Sequence, residues 1–551
     1  MKRSEFLTIW QDKRMEGGPA PINSLNPYVG PWTSTQAIHL LKRLTFGVKK
    51  ADVDTLLSKS MSQAVDSLLV LDNTPAPPLN IYSTPQIPDP DVPFGQTFVN
   101  APINANLPPQ YYQARTDSLK AWWTGNMVNQ KLNITEKLTL FWHNHFAVEA
   151  DQVQIAQALH QYYKLLRENC LGNFKALTKL ITLNPAMLRY LNGYLNSKEA
   201  ADENYARELQ ELFTVGKGPD SKYTEDDVKA AAKILTGITI NITVMPLTYF
   251  FNFFAHDTTT KRFSSFYGNK VIAGRPFAQG ELELDDLLTM LFDNTETARH
   301  ICRKLYRFFV YYEISEDVEQ NIIRPLAVEL RNNNFNIKPV LETLFKSQHF
   351  YDYANLACVI KSPLDYSVGL CKEFGIQFPN SSNLLNQYLG WGIVTSLAAY
   401  QGLNIGDPLV VSGWQAWYQQ PQYHEIWINA DTLASKNSTA DKITSSAGVT
   451  LNGVTIKIDP TIFASQLDKP ESAADHVKEA VQLLYNFNLS DSSLLYLKDF
   501  LISGYPNDSY WTEAWIQYKA DPTNPILKNA VAIRLNALYR EMIRQAEYHL
   551  S

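Results

Sequence analysis

The stretch that decides the fold spans residues 202–237 and reads DENYARELQELFTVGKGPDSKYTEDDVKAAAKILTG. At 3.6 residues per turn, its first half has one apolar stripe, which consists of Tyr205, Leu209, Leu212 and Phe213. The pattern predicts a helix that ends at Gly216 or Gly218, because the left-handed residue that closes a helix is usually glycine.

The second half of this stretch carries the signals of another helix. Thr224 is a good N-cap, Asp227 occupies the capping-box position three residues later, and Gly237 follows the last residue with helical periodicity. We therefore predict two amphipathic helices joined by a glycine-rich turn.

Helical periodicity recurs along most of the chain. It predicts a mainly α protein with one large multihelical body, long irregular loops and a minor β-hairpin. Of the 551 residues, 45% are hydrophobic and 19% are charged, so a large buried core is available. The net charge of −6 argues against nucleic-acid binding, because no basic stripe is present to neutralise phosphates.

The domain organisation follows from the irregular stretches. We predict an irregular N-terminal arm over residues 1–33 and a single multihelical domain over 34–551. Within that domain, 73–109 is a proline-rich loop whose aromatic and aliphatic residues favour packing on the protein body. The segment 404–470 is mixed, and the Asn-Gly pair at 452–453 between β-formers predicts a hairpin.

Cysteine usage and the N-terminus indicate the cellular context. No C-x-x-C pair is present, and each cysteine lies in an apolar helical pattern, so we expect buried thiols at Cys170, Cys302, Cys358 and Cys371. The N-terminal residues lack the apolar run of a signal peptide, and no window reaches the roughly 20 apolar residues of a membrane span. The sequence thus favours a cytoplasmic protein.

The first candidate functional cluster is FWHNHF at 141–146, at the C-terminal end of a predicted helix. His143 and His145 can bind one metal ion if the backbone is extended, but they point to different sides of a regular helix. Two interpretations follow: ligands of a divalent metal, or histidines with ordinary hydrogen bonds near a helix end.

A polar stripe lies beside the apolar stripe of the first helix and comprises Asn204, Arg207, Glu208 and Glu211. One interpretation is a solvated face with a weak Arg207–Glu211 pair. The other is an acid–base site. Glu208 borders the apolar stripe, where partial burial beside aromatic rings raises the pKa of a carboxyl group.

The third cluster is the adjacent pair His256 and Asp257, in an irregular segment. Such a pair can bind a metal ion or relay protons, and functional residues are more frequent in loops than in helices or strands. The alternative is an ordinary Asp-Thr turn beside a solvated histidine.

The fourth cluster is SGWQAW at 412–417. Trp414 and Trp417, with Trp427 nearby, can form a stacking platform for a sugar or can fill the core. The chain contains no G-x-S-x-G, Walker, G-x-G-x-x-G, H-E-x-x-H or EF-hand motif, so no catalytic signature of these types decides between the alternatives.

Several long motifs, taken in order, resemble one bacterial family. They are HLLKRLTFG at 39–47, FWHNHF at 141–146, NPAMLRYLNG at 184–193, ENYARELQELFTVG at 203–216, YTEDDVKAAAKILTG at 223–237, His256-Asp257, TARHICRKLYRFFV at 297–310, KSPLDYSVG at 361–369 and the SGWQAW segment. From about residue 34 to the C-terminus the chain is similar to the family called domain of unknown function 1800.

This resemblance implies no activity, because the family is named for having none assigned. Its members often sit in operons beside a second family, domain of unknown function 1501, which resembles alkaline-phosphatase-like and sulfatase-like proteins and often bears a twin-arginine export signal. The resemblance therefore implies a partner from that family and export of the folded protein together with it. It also indicates that the polar clusters, which are the family's signature motifs, form a shared pocket.

We predict a hydrolase with Glu208 as general acid or base, Arg207 as anion or oxyanion partner and Asn204 as an orienting group. The predicted substrate-binding residues are Trp414, Trp417 and Tyr205. If a divalent metal is bound, its predicted ligands are His143, His145, Glu211, His256 and Asp257.

Two alternatives stay open at this point. The first is a non-enzymatic helical scaffold that binds an operon partner through 73–109 and the tryptophan segment. The second is a carbohydrate-binding protein that stacks sugars on Trp414, Trp417 and Trp427.

Overall fold

The computed structural model describes residues 22–83, 88–104, 106–414 and 425–551. In these segments the α-helices are, in chain order, α1 Ser34–Leu44, α2 Lys50–Leu57, α3 Met61–Leu68, α4 Pro109–Val128, α5 Thr135–His145, α6 Ala150–Val153, α7 Ala156–Asn169, α8 Phe174–Thr182, α9 Pro185–Tyr190, α10 Asn204–Glu208, α11 Glu225–Ile234, α12 Glu283–Asp293, α13 Thr295–Phe309, α14 Glu316–Val318, α15 Arg324–Asn332, α16 Ile337–Phe345, α17 Pro363–Glu373, α18 Leu384–Tyr400, α19 Ala430–Ile443, α20 Pro460–Ala464, α21 Ala473–Tyr485, α22 Asp491–Ile502, α23 Ser509–Ala520 and α24 Pro525–Arg544.

Shorter helical pieces connect these elements. The π-helical segments are Leu209–Phe213 and Glu319–Ile323. The 3-10 segments are Gly193–Leu195, Phe253–Ala255, Ser265–Tyr267, Phe277–Leu282, Tyr353–Asn355, Ser381–Asn383, Glu425–Trp427 and Ala546–His549.

The strands of the described part of the chain form three antiparallel pairs. They are β1 Ile238–Asn241 with β2 Thr248–Phe251, β3 Lys261–Arg262 with β4 Val271–Ile272, and β5 Val449–Leu451 with β6 Val454–Ile456. Asn452 and Gly453 join β5 to β6 with φ angles of 47° and 81°, the positive values that a tight two-residue hairpin turn requires. The mainly α class and the minor hairpin are thus confirmed.

One cluster of buried hydrophobic residues extends along the chain from Ala37 to Leu550. At its C-terminal end α24 contacts α19, α20, α22 and α23. The buried residues of α24 recur at helical spacing because one stripe faces these neighbours, and they include Val531, Leu535, Leu538 and Met542. The division into an arm and a single domain stays a prediction.

The stretch 202–237 folds into two helices joined by a turn, with one difference from the expectation. The second helix, α11, has the predicted capping box between Thr224 and Asp227. The first is α-helical only as far as Glu208 and then widens into the π segment. The chain turns at Gly216, whose φ is +78°, and an added Cβ there would collide with the His300 ring.

The described part of the proline-rich loop packs on the protein body, as its apolar content predicts. Phe98 is completely buried. The Asp89 carboxylate, buried as well, accepts hydrogen bonds from Arg115 of α4 at 2.9 and 3.0 Å. Asn80 donates to the Val92 carbonyl at 2.7 Å, which closes the loop on itself. The described part of this loop is therefore packed against the protein core.

Two further expectations concern thiols and membranes. The four cysteines are buried, as predicted. No helix in the described segments has both the length and the apolar character that crossing a bilayer requires.

Candidate functional site

Glu208 lies where α10 passes into the π segment Leu209–Phe213. A π turn holds more than four residues, so the side chains that follow it are rotated relative to those of a continuous α-helix. The segment is closed by Thr214, whose hydroxyl donates to the Leu209 carbonyl at 2.6 Å, and by Gly216, whose N–H donates to the Gln210 carbonyl at 3.0 Å. Such π turns occur frequently at functional sites.

The Glu208 carboxyl group is half-buried and makes no hydrogen bond to any residue that the structure describes. Burial, reinforced by the negative charge of Glu211, raises the pKa of Glu208 to about 7, although Arg207 and Lys217 act in the opposite direction. The side chain thus combines an accessible position with a carboxyl group that is partly protonated at neutral pH.

Arg207 does not point its guanidinium group at Glu208. It forms a two-pronged ion pair with Glu225 of α11 at 2.7 and 2.8 Å and a second pair with Glu203 at 3.1 Å. These carboxylates, Glu225 foremost, raise the pKa of Arg207 above its usual range. Arg207 therefore ties α10 to α11, which spacing along one helix did not predict.

Asn204 and Tyr205 lie on different sides of α10. Asn204 is exposed, and its side-chain amide is 3.4 Å from the Leu191 carbonyl. Tyr205 is buried, and its hydroxyl donates to the Thr182 hydroxyl at 2.8 Å. Burial raises the pKa of Tyr205. The exposed Asn204 can meet a substrate, whereas the Tyr205 side chain is part of the core.

Glu211 has partners of its own on the turn that leads to α11. Its carboxylate accepts from Lys217 at 2.8 Å and from the Tyr223 hydroxyl at 3.3 Å. Burial, followed by the charge of Glu211, raises the pKa of Tyr223, so this hydroxyl stays protonated. Glu211 therefore acts on Glu208 as a fixed negative charge.

Tyr190 at the end of α9 interacts with several carboxylates, and Glu208 is one of them. Its hydroxyl donates to Glu149 at 2.8 Å. Burial, together with the charges of Glu149, Glu208 and Asp407, raises the pKa of Tyr190 above its usual range. Tyr190, Glu149 and Asp407 are not among the predicted site residues, although Tyr190 belongs to the quoted motif at 184–193. That motif was the only available signal.

His143 is completely packed inside the helix bundle. Its Nδ1 is 2.9 Å from the Tyr162 hydroxyl, which in turn donates to the Phe146 carbonyl. The rings of Trp123 and Trp414 contact the imidazole edge to face, with centroids 5.0 and 5.3 Å away. Burial lowers the pKa of His143 to about 3, which keeps the ring neutral.

The end of α5 packs directly against the π segment. The His145 ring lies among the rings of Phe146 and Phe213, and burial, reinforced by Lys304, lowers its pKa well below the usual range. The neighbouring Asn144 accepts the backbone N–H of Trp414 at 2.8 Å. Three motifs that are distant in sequence therefore meet here, but their contacts are those of a packed interior.

His256 and Asp257 belong to a separate buried network. The His256 ring nitrogens are 3.0 Å from the Thr236 carbonyl and 3.3 Å from Glu283. Asp257 accepts from the Thr259 N–H at 2.7 Å. Burial opposes its ionisation, but this hydrogen bonding and Lys261 hold the pKa of Asp257 below the usual range.

The predicted metal ligands occupy different surroundings. Within the described ranges, no group of three or more His, Cys, Asp or Glu side chains is arranged to hold a metal ion. The structure therefore does not bring His143, His145, Glu211, His256 and Asp257 together as one ligand set, because each is held by the separate packing and hydrogen bonds given above.

Of the predicted stacking platform, Trp414 and Trp427 are not available to a sugar. Trp414 and Trp427 are buried, with 0% and 1% of their surfaces exposed, and therefore fill the core. Trp417 lies outside the described residues.

The comparison with family models identifies a family but no activity. The model of a family described as "Protein of unknown function (DUF1800)" matches residues 39–538, nearly the whole chain. Searches of curated proteins and of solved structures find no match.

Proposed function

Because the chain belongs to the DUF1800 family of proteins of unknown function, its membership brings no activity, and we propose from the environment of Glu208 that it is a hydrolase. The observation that carries the proposal is a half-buried carboxyl group with a pKa of about 7 and no hydrogen-bond partner in the described segments. Both protonation states of such a group are populated at neutral pH, as general acid–base catalysis requires.

In the proposed reaction Glu208 takes a proton from a water molecule while the water oxygen bonds to the electrophilic centre of the substrate. The protonated Glu208 then gives the proton to the leaving group as its bond breaks. The fixed charge of Glu211 favours the protonated form, and so raises the basicity of the carboxylate. Esters, phosphoesters and glycosides are the substrate classes that this chemistry fits.

The other predicted site residues have different roles in the proposal. Arg207 binds an anionic group of the substrate by exchanging one of its two carboxylate partners, and the exposed Asn204 orients the substrate beside it. Tyr205 and Trp414 are buried, and so support the helix positions instead of touching the substrate.

The decisive experiment compares Glu208→Gln with Glu199→Gln, an exposed glutamate in the segment before α10. We expect Glu208→Gln to lower kcat about 100-fold or more on whichever ester, phosphoester or glycoside proves active, while urea unfolding shows an intact fold. Wild-type kcat/KM should depend on a group with an apparent pKa near 7. Full activity in Glu208→Gln would overturn the proposal, and so would a variant that unfolds, because Glu208 would then be structural.

A divalent metal stays a prediction. Elemental analysis of the purified protein by mass spectrometry tests it directly. A stoichiometric metal that is lost on Glu211→Gln would place the ion beside Glu208 and would replace the metal-free form of the proposal.

A second candidate function is a helical scaffold. It is favoured by Arg207, whose ion pair with Glu225 ties α10 to α11, and by the buried His143. Because 73–109 contains core residues such as Phe98, deleting it would damage the fold. A sharper test replaces Phe94, which is 51% exposed on this loop, by serine. Loss of partner capture in a variant with unchanged urea unfolding would support the scaffold.

The proposed partner is a protein of the domain of unknown function 1501 family, and the complex is proposed to be exported folded. Co-expression with affinity capture tests the pairing, and cell fractionation with and without the partner tests the export. Recovery of the protein only from the cytosol in both cases would contradict the export and agree with the cytoplasmic prediction.

A further inference from the structure

A large cavity lies away from Glu208. It measures about 610 Å³ and opens between the first turn of α1, the segment 351–358, the end of α21 and the residues that follow α21. The lining that the described residues supply is mainly apolar and includes Tyr353, Leu356, Val481, Leu489 and Leu494. Tyr353 is 68% exposed, so apolar surface at this cavity faces solvent within the described part of the chain. Contiguous apolar surface of this kind marks an interaction site.

The chain that precedes α1 leads to this cavity. It runs antiparallel to the stretch 346–352, with one bridge in the β-geometry. The Tyr28 N–H donates to the Lys346 carbonyl at 2.8 Å, and the Ile22 N–H donates to the Asp352 carboxylate at 2.8 Å. Because the two stretches are antiparallel, a path that continues beyond Ile22 toward the N-terminus is directed at the residues that follow Asp352. Those residues line the cavity.

Residues 1–21 lie outside the described part of the chain and read MKRSEFLTIWQDKRMEGGPAP. Their apolar side chains are concentrated in the run FLTIW at 6–10. An extended chain of the length that separates Trp10 from Ile22 can span about 40 Å. This reach is several times the width of a cavity of about 610 Å³, so the apolar run can enter any part of it.

We propose that the cavity is the docking site of the N-terminal segment of this same chain, and that the run at 6–10 is the part that enters it. The run has no charged side chain, and Lys478, which is exposed, is the one charged residue among the described lining residues. Apolar surface is therefore removed from water on both sides without burial of an unpaired charge. The covalent connection through Ile22 also keeps the effective concentration of the run high, so modest contacts suffice for docking.

Photo-cross-linking of the full chain tests the proposal directly. With p-benzoylphenylalanine in place of Trp10, we expect the cross-linked peptides identified by mass spectrometry to come from 351–358 and 478–494. The control carries the same cross-linking residue in place of Phe94, which is 51% exposed and outside the lining, and should not label these stretches. Cross-links from position 10 only to other parts of the chain, or none at all, would overturn the proposal.

Isotope mixing distinguishes this chain's own segment from that of a second copy. In a mixture of unlabelled and ¹⁵N-labelled protein, docking within one chain gives cross-linked pairs of one isotope only. Pairs that join a light peptide to a heavy one would overturn the proposal, because the segment of a second copy would then fill the cavity.

Hydrogen exchange provides a second test with a matched variant. Trp10→Ser should speed amide exchange at 353–358 and 486–494 roughly threefold or more, because these stretches lose their cover. Met15→Ser, which changes an apolar residue outside the run, should leave exchange there as in wild type. Unchanged exchange in Trp10→Ser would overturn the proposal. Equal acceleration in Met15→Ser would do the same, since the run at 6–10 would then have no special part in covering the cavity.

Discussion

Glu208 and Glu283 are two glutamates in contrasting surroundings. Glu283, at the start of α12, is completely buried and accepts hydrogen bonds from Lys261 at 2.6 Å, from His256 at 3.3 Å and from the Arg275 N–H at 2.6 Å. Burial alone would raise the pKa of Glu283, but these donors hold it below the usual range. Glu208 is only half-buried, yet burial and Glu211 raise its pKa to about 7.

The difference shows that the supply of donors decides the charge state of a buried carboxyl group. A fully buried carboxylate stays ionised where a cation and N–H donors surround it, whereas a half-buried carboxyl group without donors keeps its proton up to a higher pH. The network at Glu283 therefore resembles a structural tie that joins β3 to α12. The region at Glu208 resembles a site kept ready for proton transfer.

The largest expected effect comes from breaking the tie. Lys261→Met leaves the Glu283 carboxylate buried without its cation, and we expect the free energy of unfolding to fall by about 3–5 kcal/mol near pH 7. The loss should shrink on acidification, because protonated Glu283 needs no cation. Urea unfolding measures it, with the exposed Lys233→Met of α11 as control. A loss as small as that of the control would mean that Glu283 is not held by this pair.

The second effect has the opposite sign and concerns Glu208. Because its folded pKa is raised from 4.5 to about 7, its stabilising contribution is complete below about pH 4.5 and is lost as the pH rises through 7. Glu208→Gln should therefore match wild type near pH 4. Near pH 8 it should exceed wild type by roughly 1–2 kcal/mol, a value already reduced for solvent screening.

The measurement is the urea midpoint of wild type and of Glu208→Gln across this pH range. Glu199→Gln is the control, and its stability difference from wild type should not change with pH. A stability difference that does not change with pH would contradict the raised pKa of Glu208.

The third and smaller effect separates the causes of the raised pKa. Glu211→Gln removes a like charge and should lower the pKa of Glu208, whereas Arg207→Met removes a favourable charge and should raise it. Carbon-detected NMR titration of labelled glutamate, assigned with Glu208→Gln, reports both shifts. If both variants shift the pKa in the same direction, its elevation has another origin.

The smallest effect is expected at the surface ion pair of Arg207. Glu203→Gln removes one partly exposed carboxylate from this guanidinium, and the free energy of unfolding should change by less than about 0.5 kcal/mol. Comparison with Lys261→Met shows how much more free energy of unfolding is lost when the ion pair that loses a partner is buried. A loss of similar size in both variants would remove the distinction between the two regions.

Much of the local structure could be predicted because it depends on near neighbours in the chain. The capping box of Thr224 and Asp227, the closing Gly216 and the Asn452-Gly453 turn all follow from three- or four-residue rules. The helix α18 lacked such a signal. Its sequence LLNQYLGWGIVTSLAAY is apolar on every side and includes two glycines, so no single stripe reveals the period.

The candidate site was predicted only in part. The position of Glu208 beside an apolar stripe correctly indicated partial burial, since spacing on one helix defines which side chains share a face. The partners of Arg207 and His256 could not be predicted, because Glu225 and Glu283 come from other helices. The burial of Trp414 likewise depends on α5, whose Asn144 and His143 contact it.

The sequence by itself determined the mainly α class, the family, the helix ends and the placement of Glu208 at the edge of a buried face. These follow from periodicity, caps and motifs, which act over one or two helical turns. Only the tertiary structure decided which carboxylates keep their charge, where the tryptophans lie and where a cavity is left open. Those properties arise from donors, rings and gaps supplied by segments far apart in the chain, and no local pattern encodes them.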